Sequence, residues 1–297
     1  MSNKQASDVS ASVRQAFNFS VDKFPLSGPD GMNTPWYGLF RSDNMDVVGS
    51  GSVSNRYVPH TTDDVCALVD AAAEAFDGEV DCQTHFRHGH YVSIAPTKAN
   101  RLAVFGTADN VFPRIMVNAS YDGNAFKASM GYYRDLCSNL HIMRRVSGTT
   151  VSIRHTSNLR SQMDDLIKTF EVLKSSWASL TDLIMHLENR QVGMVDFLNR
   201  IYEQPAPDAG QKAVTIHQNR TEAIFNRLSR ERLISGRGSM GSDYQVSAWE
   251  AFNAIQGYVQ HESRTKAGFK GEFDRILKAN NDPDVHAAEK LAMELAL

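Results

Sequence analysis

Hydrophobic and polar positions change rhythm near Ser157. Before that point they alternate over short runs, which is the period of half-buried strands. Strands are predicted at 36–40, 45–48, 53–58, 80–87, 90–95, 102–105, 114–121, 125–133 and 151–155. Asp122-Gly123 joins two of these runs, and Asp-Gly between alternating segments is a strong hairpin signal. One helix interrupts the strands at 63–76. Thr62 is placed to cap it, Asp63 and Asp64 sit in its first turn, and Val65, Leu68, Val69 and Ala72 form an apolar face. The apolar spacing at 136–143 predicts a further short helix.

After Ser157 apolar residues recur at steps of three and four. Met163, Leu166, Ile167, Phe170, Leu173, Trp177, Leu180, Ile184 and Leu187 mark one long amphipathic helix over 159–188. Shorter helices are predicted at 192–202, 213–233 and 244–264, and a last one from Asp282. Pro205-Ala206-Pro207 and the glycine loop 236–241 separate them. The predicted fold is therefore α+β: an antiparallel-rich sheet with helices on one face, followed by a helical subdomain. Residues 1–35, rich in Ser, Asn, Asp, Gly and Pro, are expected to form a flexible N-terminal arm reaching a neighbouring subunit. The α+β core would occupy 36–157 and the helical subdomain 158–297.

Composition narrows the class. The chain has 297 residues, of which 42% are apolar and 22% charged, as in ordinary globular proteins. No run approaches the roughly 18 apolar residues that span a bilayer, and the first residues lack a signal-peptide pattern. Cys66, Cys82 and Cys137 are widely spaced with no CxxC pair, which points to reduced thiols and a cytoplasmic setting.

Charge changes the picture more. Between 114 and 160 there are seven positive residues, Arg114, Lys127, Arg134, Arg144, Arg145, Arg154 and Arg160, against Asp122 and Asp135, so the segment carries +5. The whole chain carries −3, and the remainder therefore −8. A basic segment interleaved with Tyr132 and Tyr133 in an acidic chain fits a polyanion seat. Arginine forks suit phosphate, and tyrosine rings can stack on bases. Lys98 and Arg101 would lie on the rim. Arg154 alternates with Ile153, so it should face away from the core. The competing reading is a solvated face whose arginines pair with the acidic helical half. The acidic total weighs against simple coating of duplex DNA.

Other constellations carry less. His85, His88 and His90 lie within six residues and could bring imidazoles together on a hairpin, but no carboxylate or paired cysteine stands at a metal-site spacing. Gly236-Arg237-Gly238-Ser239-Met240-Gly241 matches GxGxxG, yet a helix precedes it where the dinucleotide motif needs a strand. No GK[ST] follows a glycine loop, so no nucleotide cofactor is expected. Cys137 and His141 stand four apart on the short helix expected there, where a packed thiol is the simpler reading. Trp249 and Asn253 share a helix face and suit packing plus an inter-helix hydrogen bond.

The joint order of several short motifs carries a resemblance. These are Val48-Gly49, Asn55-Arg56-Tyr57-Val58-Pro59, the Asn118–Gly123 hairpin, Arg134-Asp135-Leu136-Cys137-Ser138-Asn139, Ile153-Arg154-His155-Thr156 and the 247–254 segment around Trp249. Over about 36–262 the chain resembles a phage- and plasmid-encoded family of unknown function. That family is in turn similar to the single-strand annealing proteins of phages, of the Red-beta and RecT kind. Family members more often read Ser-His-Asp-Gly where this chain has Ser120-Tyr121-Asp122-Gly123, so no histidine chemistry carries over there. The resemblance implies single-stranded DNA binding and annealing in phage or plasmid recombination without covalent catalysis, by a homo-oligomeric ring or filament in the host cytoplasm. It also implies a phage exonuclease as companion. A metal-dependent enzyme acting on nucleic acid, through the histidine cluster, and a module engaging a host protein are the alternatives.

Overall fold

The computed structural model describes residues 10–11, 13–15, 17–49, 51–76, 79–85, 89–95, 102–121, 125–142, 150–263 and 272–296. Its strands in chain order are β1 (Val21–Ser27), β2 (Asn33–Arg41), β3 (Val53–Ser54), β4 (Glu79–His85), β5 (Gly89–Ala95), β6 (Leu102–Ala103), β7 (Asn110–Ser120), β8 (Phe126–Arg134), β9 (Asn139–Ile142), β10 (Thr150–Ile153), β11 (Gln191–Gly193) and β12 (Gln245–Ser247). The helices are α1 (Thr62–Phe76), α2 (Leu159–Asn189), α3 (Met194–Ile201), α4 (Gln211–Ile234), α5 (Ala248–Gly257), α6 (Glu272–Asn281) and α7 (Pro283–Ala296). The fold is α+β, as the two rhythms of the sequence require. No helix among the described residues is long and apolar enough to cross a membrane.

The chain forms two compact units: Met1–Asn100 with Pro113–Gly131 and Val146–Trp177, and Arg101–Phe112 with Tyr132–Arg145 and Ala178–Leu297. This partition cuts across the expected boundary at 157, because β7, β8 and α2 each contribute residues to both units.

In the first unit, β1, β2 and β3 form an antiparallel sheet. One face buries Leu39 and Val53 against Phe17, Phe19, Val48, Tyr57 and Tyr121. The larger sheet runs β10-β8-β7-β5-β4, with β10 antiparallel to β8, β7 to β5 and β5 to β4. Alternation gives it an apolar side: Ile115, Val117 and Ala119 on β7, Phe126, Ala128 and Met130 on β8, and Ile153 on β10 are all buried. Val65, Leu68 and Val69 bury the inner face of α1, and Leu159, Met163, Leu166 and Phe170 that of the first turns of α2. The cap of α1 is Thr61, one residue before the expected one. Its hydroxyl accepts from Asp64 N (3.2 Å) while Asp64 Oδ2 accepts from Thr61 N (2.7 Å).

In the second unit, α5 is buried on every side, as a helix apolar around most of its circumference must be. It packs on α4 and α7. Ser247 and Glu250 close a capping box at its start. The β11–β12 ladder ties the start of α3 to the start of α5. A π-helical turn, Tyr258–Glu262, ends the α5 segment.

Several expectations need correction. Residues 21–35, expected in a flexible arm, lie in β1, a 3-10 turn at Pro29–Gly31 and β2. Pro25 and Pro35 hide these strands: Pro25 sits on an edge strand, and Pro35 falls where the register shifts between the Pro25 and Ser27 pairs. The expected helix at 136–143 is a 3-10 turn, Asp135–Cys137, followed by β9. Cys137 and His141 therefore do not share a helix face. The strand expected at 45–48 is a single bridge, Phe40 to Val47. Strands β11 and β12 replace the predicted starts of two helices.

Candidate nucleic-acid interface

The exposed side of the larger sheet is built by strand register. On β10, Ser152 stands opposite Lys127 of β8 and Thr150 opposite Ser129. Ile153 and Phe126, the next pair, are buried, so Lys127 and Ser152 face outward, as does Arg154 one step beyond β10. Thr150 Oγ1 donates to Ser129 Oγ across the strands (3.3 Å). Thr150 and Ser152 are exposed, Ser129 is buried, and the two exposed cations stand beside Ser152. Arg154 N–H donates to Gln162 Oε1 of α2 (3.2 Å), which anchors the backbone under the guanidinium.

A cleft of about 500 Å³ runs along this edge, lined by Ser152, Arg154, Gln162, Asp165, Leu166 and Thr169. Arg160, in the first turn of α2, has a side chain 82% exposed and lies 3.8 Å from Asp64 of α1. At 3.8 Å, with the guanidinium in solvent, the pair is loose and worth little, so Arg160 stays available to another anion. Arg114 on β7 and Tyr133 on β8 are half-buried. Thus Lys127, Arg154 and Arg160 are the surface cations the structure places on this unit from the predicted set. Lys98, Arg101, Arg144 and Arg145 lie outside the described residues, as do His88 and the side chains of His85 and His90.

Two predicted contacts are overturned. Arg134 is 3% exposed and held by acids on both sides. Its Nε donates to both Asp109 oxygens (2.9 Å each), Nη2 to Asp109 Oδ2 (2.6 Å) and Nη1 to Glu231 Oε2 (2.5 Å). Burial opposes the charge, but Cys137, Glu231 and Asp109 outweigh it and hold the Arg134 pKa well above the ordinary arginine value. Tyr132 is fully buried, against Trp249 at 5.0 Å between ring centroids, and its hydroxyl donates to Asn253 Oδ1 (3.3 Å). Neither side chain can meet a strand of nucleic acid. Both are parts of the second unit's interior.

That interior holds a dense polar network. Glu231 also pairs with Arg227 Nε (2.8 Å), and Arg227 reaches Glu262 (3.3 Å) and Asn139 Oδ1 (3.5 Å). Asn139 Oδ1 lies 3.0 Å from His261 Nε2. Burial, with Arg227 next, pushes His261 down to about 4, so the ring is neutral at pH 7. Cys137 accepts from Arg134 Nη1 (3.5 Å), and burial pushes its thiol up to about 11. A nucleophilic thiol needs the opposite shift. Asn253 donates to Trp249 O within α5 (2.9 Å) and accepts from Tyr132 on a strand, where the sequence suggested a bond between helices.

The glycine loop 236–241 follows α4 and closes toward β12, not a strand-to-helix turn. Gly236 and Gly238 take positive φ, and Arg237 between them stacks on Phe105 at 3.5 Å and pairs with Glu250 (3.3 Å). No group of three metal-ligating side chains occurs among the described residues.

Strand alternation alone places Ser152 beside Arg154, whereas nothing in the sequence marks Gln162, which joins the site only because α2 returns along β10. Comparison with known proteins finds no match among curated proteins and none among solved structures. A family model does match residues 50–288, most of the chain: this protein belongs to the family described as Domain of unknown function (DUF932).

Proposed function

We propose that the protein binds single-stranded nucleic acid on the β8–β10 face and presents its bases for pairing with a complementary strand. The observation that supports this most is the exposure of Lys127 and Arg154 on the same side of adjacent strands, with Thr150 and Ser152 beside them. Cations and hydroxyls at strand spacing can hold successive phosphates, and phosphate contacts fix a strand without reading its sequence. Base edges left open could then test a second strand. With Arg134 internally neutralised, the basic segment still sets six positive residues against two acids. Such annealing needs no covalent step and no nucleotide cofactor. Several protomers along one strand, in a host cytoplasm, would keep many bases in register.

The test is fluorescence anisotropy with a labelled single strand, in EDTA and without ATP, beside a quench assay of annealing. Binding should persist in EDTA and weaken log-linearly with salt, by roughly 0.7 per phosphate neutralised, and complementary strands should pair faster with protein present. Salt-independent binding, or an absolute requirement for ATP, would contradict the reading.

A further inference from the structure

The outward face of the β1–β2–β3 sheet carries large apolar side chains that are partly exposed. Trp36 is 51% exposed and Phe24 41%. Phe24 stands opposite Gly38, two residues from both Trp36 and Phe40, so all four positions share one face. The Phe24 and Phe40 rings meet edge-on at 5.8 Å. Gly38 leaves room for the ring: a Cβ there would lie 2.6 Å from the Phe40 ring edge and 3.1 Å from Leu26. The opposite face is the one that buries Leu39 and Val53.

This face joins the phosphate-binding side through a short path in the same unit. Trp36 pairs with Ser54 of β3. The turn after Ser54 presents Arg56, which is exposed, and Tyr57 N–H donates back to Ser54 O (3.1 Å). Lys23 Nζ holds that turn by donating to Asn55 O (2.6 Å) and Tyr57 O (3.0 Å). The Tyr57 ring stacks on His155 at 4.8 Å, Val58 N–H donates to His155 O (3.1 Å), and the residue before His155 is Arg154. The Asn55–Pro59 motif thus bridges an exposed cation, Arg154, to an exposed aromatic, Trp36, with a second cation, Arg56, between.

We infer that this face stacks unpaired nucleobases of the strand whose phosphates Arg154 and Arg56 hold, with Trp36 and Phe24 as the stacking residues. The inference rests on the reading proposed above and supplies the stacking surface that buried Tyr132 cannot. Size favours flat bases over a protein partner. Two strands of seven and nine residues about 4.8 Å apart, with the two-residue β3 at one end, cover roughly 250 Å², against about 800 Å² per partner in a stable protein interface. Charge sets the strand's course: Asp22, opposite Phe40 at the far end, repels phosphate, so the backbone passes on the Arg56 side.

The full chain would be titrated by anisotropy with an oligothymidylate and with an abasic strand of equal length. Wild type should prefer the oligothymidylate, Trp36→Ala should lose about 5- to 100-fold for it and nothing for the abasic strand, and Trp36→Phe should keep most of the preference. Trp36 is exposed, so the variants should keep the wild-type circular dichroism. Equal wild-type binding of both strands would overturn the stacking face while leaving the phosphate face standing. No binding of either strand would overturn both. Unchanged binding by Trp36→Ala together with a smaller assembled mass by light scattering would give the face to a second copy of this chain, and would also overturn the inference.

Discussion

Arg134 shows what a sequence reveals about a charged residue and what it withholds. Its place fell one residue past the strand expected at 125–133, whereas β8 includes it, and its charge was legible. Its partners were not, because Asp109 and Glu231 lie 25 and 97 residues away. Removing the cation takes the ion pair from buried Asp109 and leaves buried Glu231 with Arg227 alone, so Arg134→Ala should cost about 3–5 kcal/mol in urea unfolding. Lys127→Ala and Arg154→Ala, both exposed, should cost under about 0.5 kcal/mol. A surface-like cost for Arg134→Ala would refute the buried network. The Cys137 thiol, raised to about 11 by burial, should remain unmodified by iodoacetamide at neutral pH in the native protein and react after unfolding. Rapid native labelling would put back the nucleophile that the geometry argues against.

At the scale of elements, the long helix was nearly complete in the sequence: steps of three and four predicted 159–188 and α2 spans Leu159–Asn189. The β1–β2 hairpin was not, because two prolines and many small polar residues mimic a loop. Nor could periodicity reveal the π-helical turn Tyr258–Glu262, since tertiary contacts hold it. Lys278 of α6 donates to Val259 O (3.2 Å), Ser263 O (3.1 Å) and Ser263 Oγ, satisfying carbonyls at its end. A Cβ at Gly257 would overlap the Arg227 guanidinium, so Gly257→Ala should destabilise by about 1–3 kcal/mol.

The same turn sets a pH dependence. His261 titrates near 4 when folded and near its ordinary 6.5 when unfolded, so between these values the unfolded chain binds more protons. The neutral ring's contribution is whole above about 6.5 and is lost as pH falls toward 4. For a half-buried group this amounts to about 1–2 kcal/mol after discounting for solvent screening. Wild type should therefore lose more melting temperature than His261→Gln between pH 6.5 and 4.5. Parallel losses would remove His261 from the network.

Across the whole molecule, the uneven charge of the sequence was the most informative functional signal, and it needed the structure to be sorted. Of the predicted set, Lys127, Arg154 and Arg160 face solvent, Arg114 and Tyr133 are half-buried, and Arg134 and Tyr132 belong to the interior. Burial depends on which distant element covers a strand, which alternation alone does not state. The proposed assembly along a strand is checked by light scattering: mass should rise well above one chain when single strands are added, and a constant monomer would remove the scaffold for annealing.

The most direct test of the proposed interface is the salt dependence of single-strand binding for wild type against Lys127→Ala/Arg154→Ala, measured by anisotropy on folded protein. Two phosphate contacts fewer should lower the log–log slope by roughly 1.4 and weaken binding at least about 100-fold at low salt, at about 1.5–3 kcal/mol per charge-assisted contact. An unchanged slope and affinity in the folded double variant would contradict the assignment of nucleic acid to the β8–β10 face.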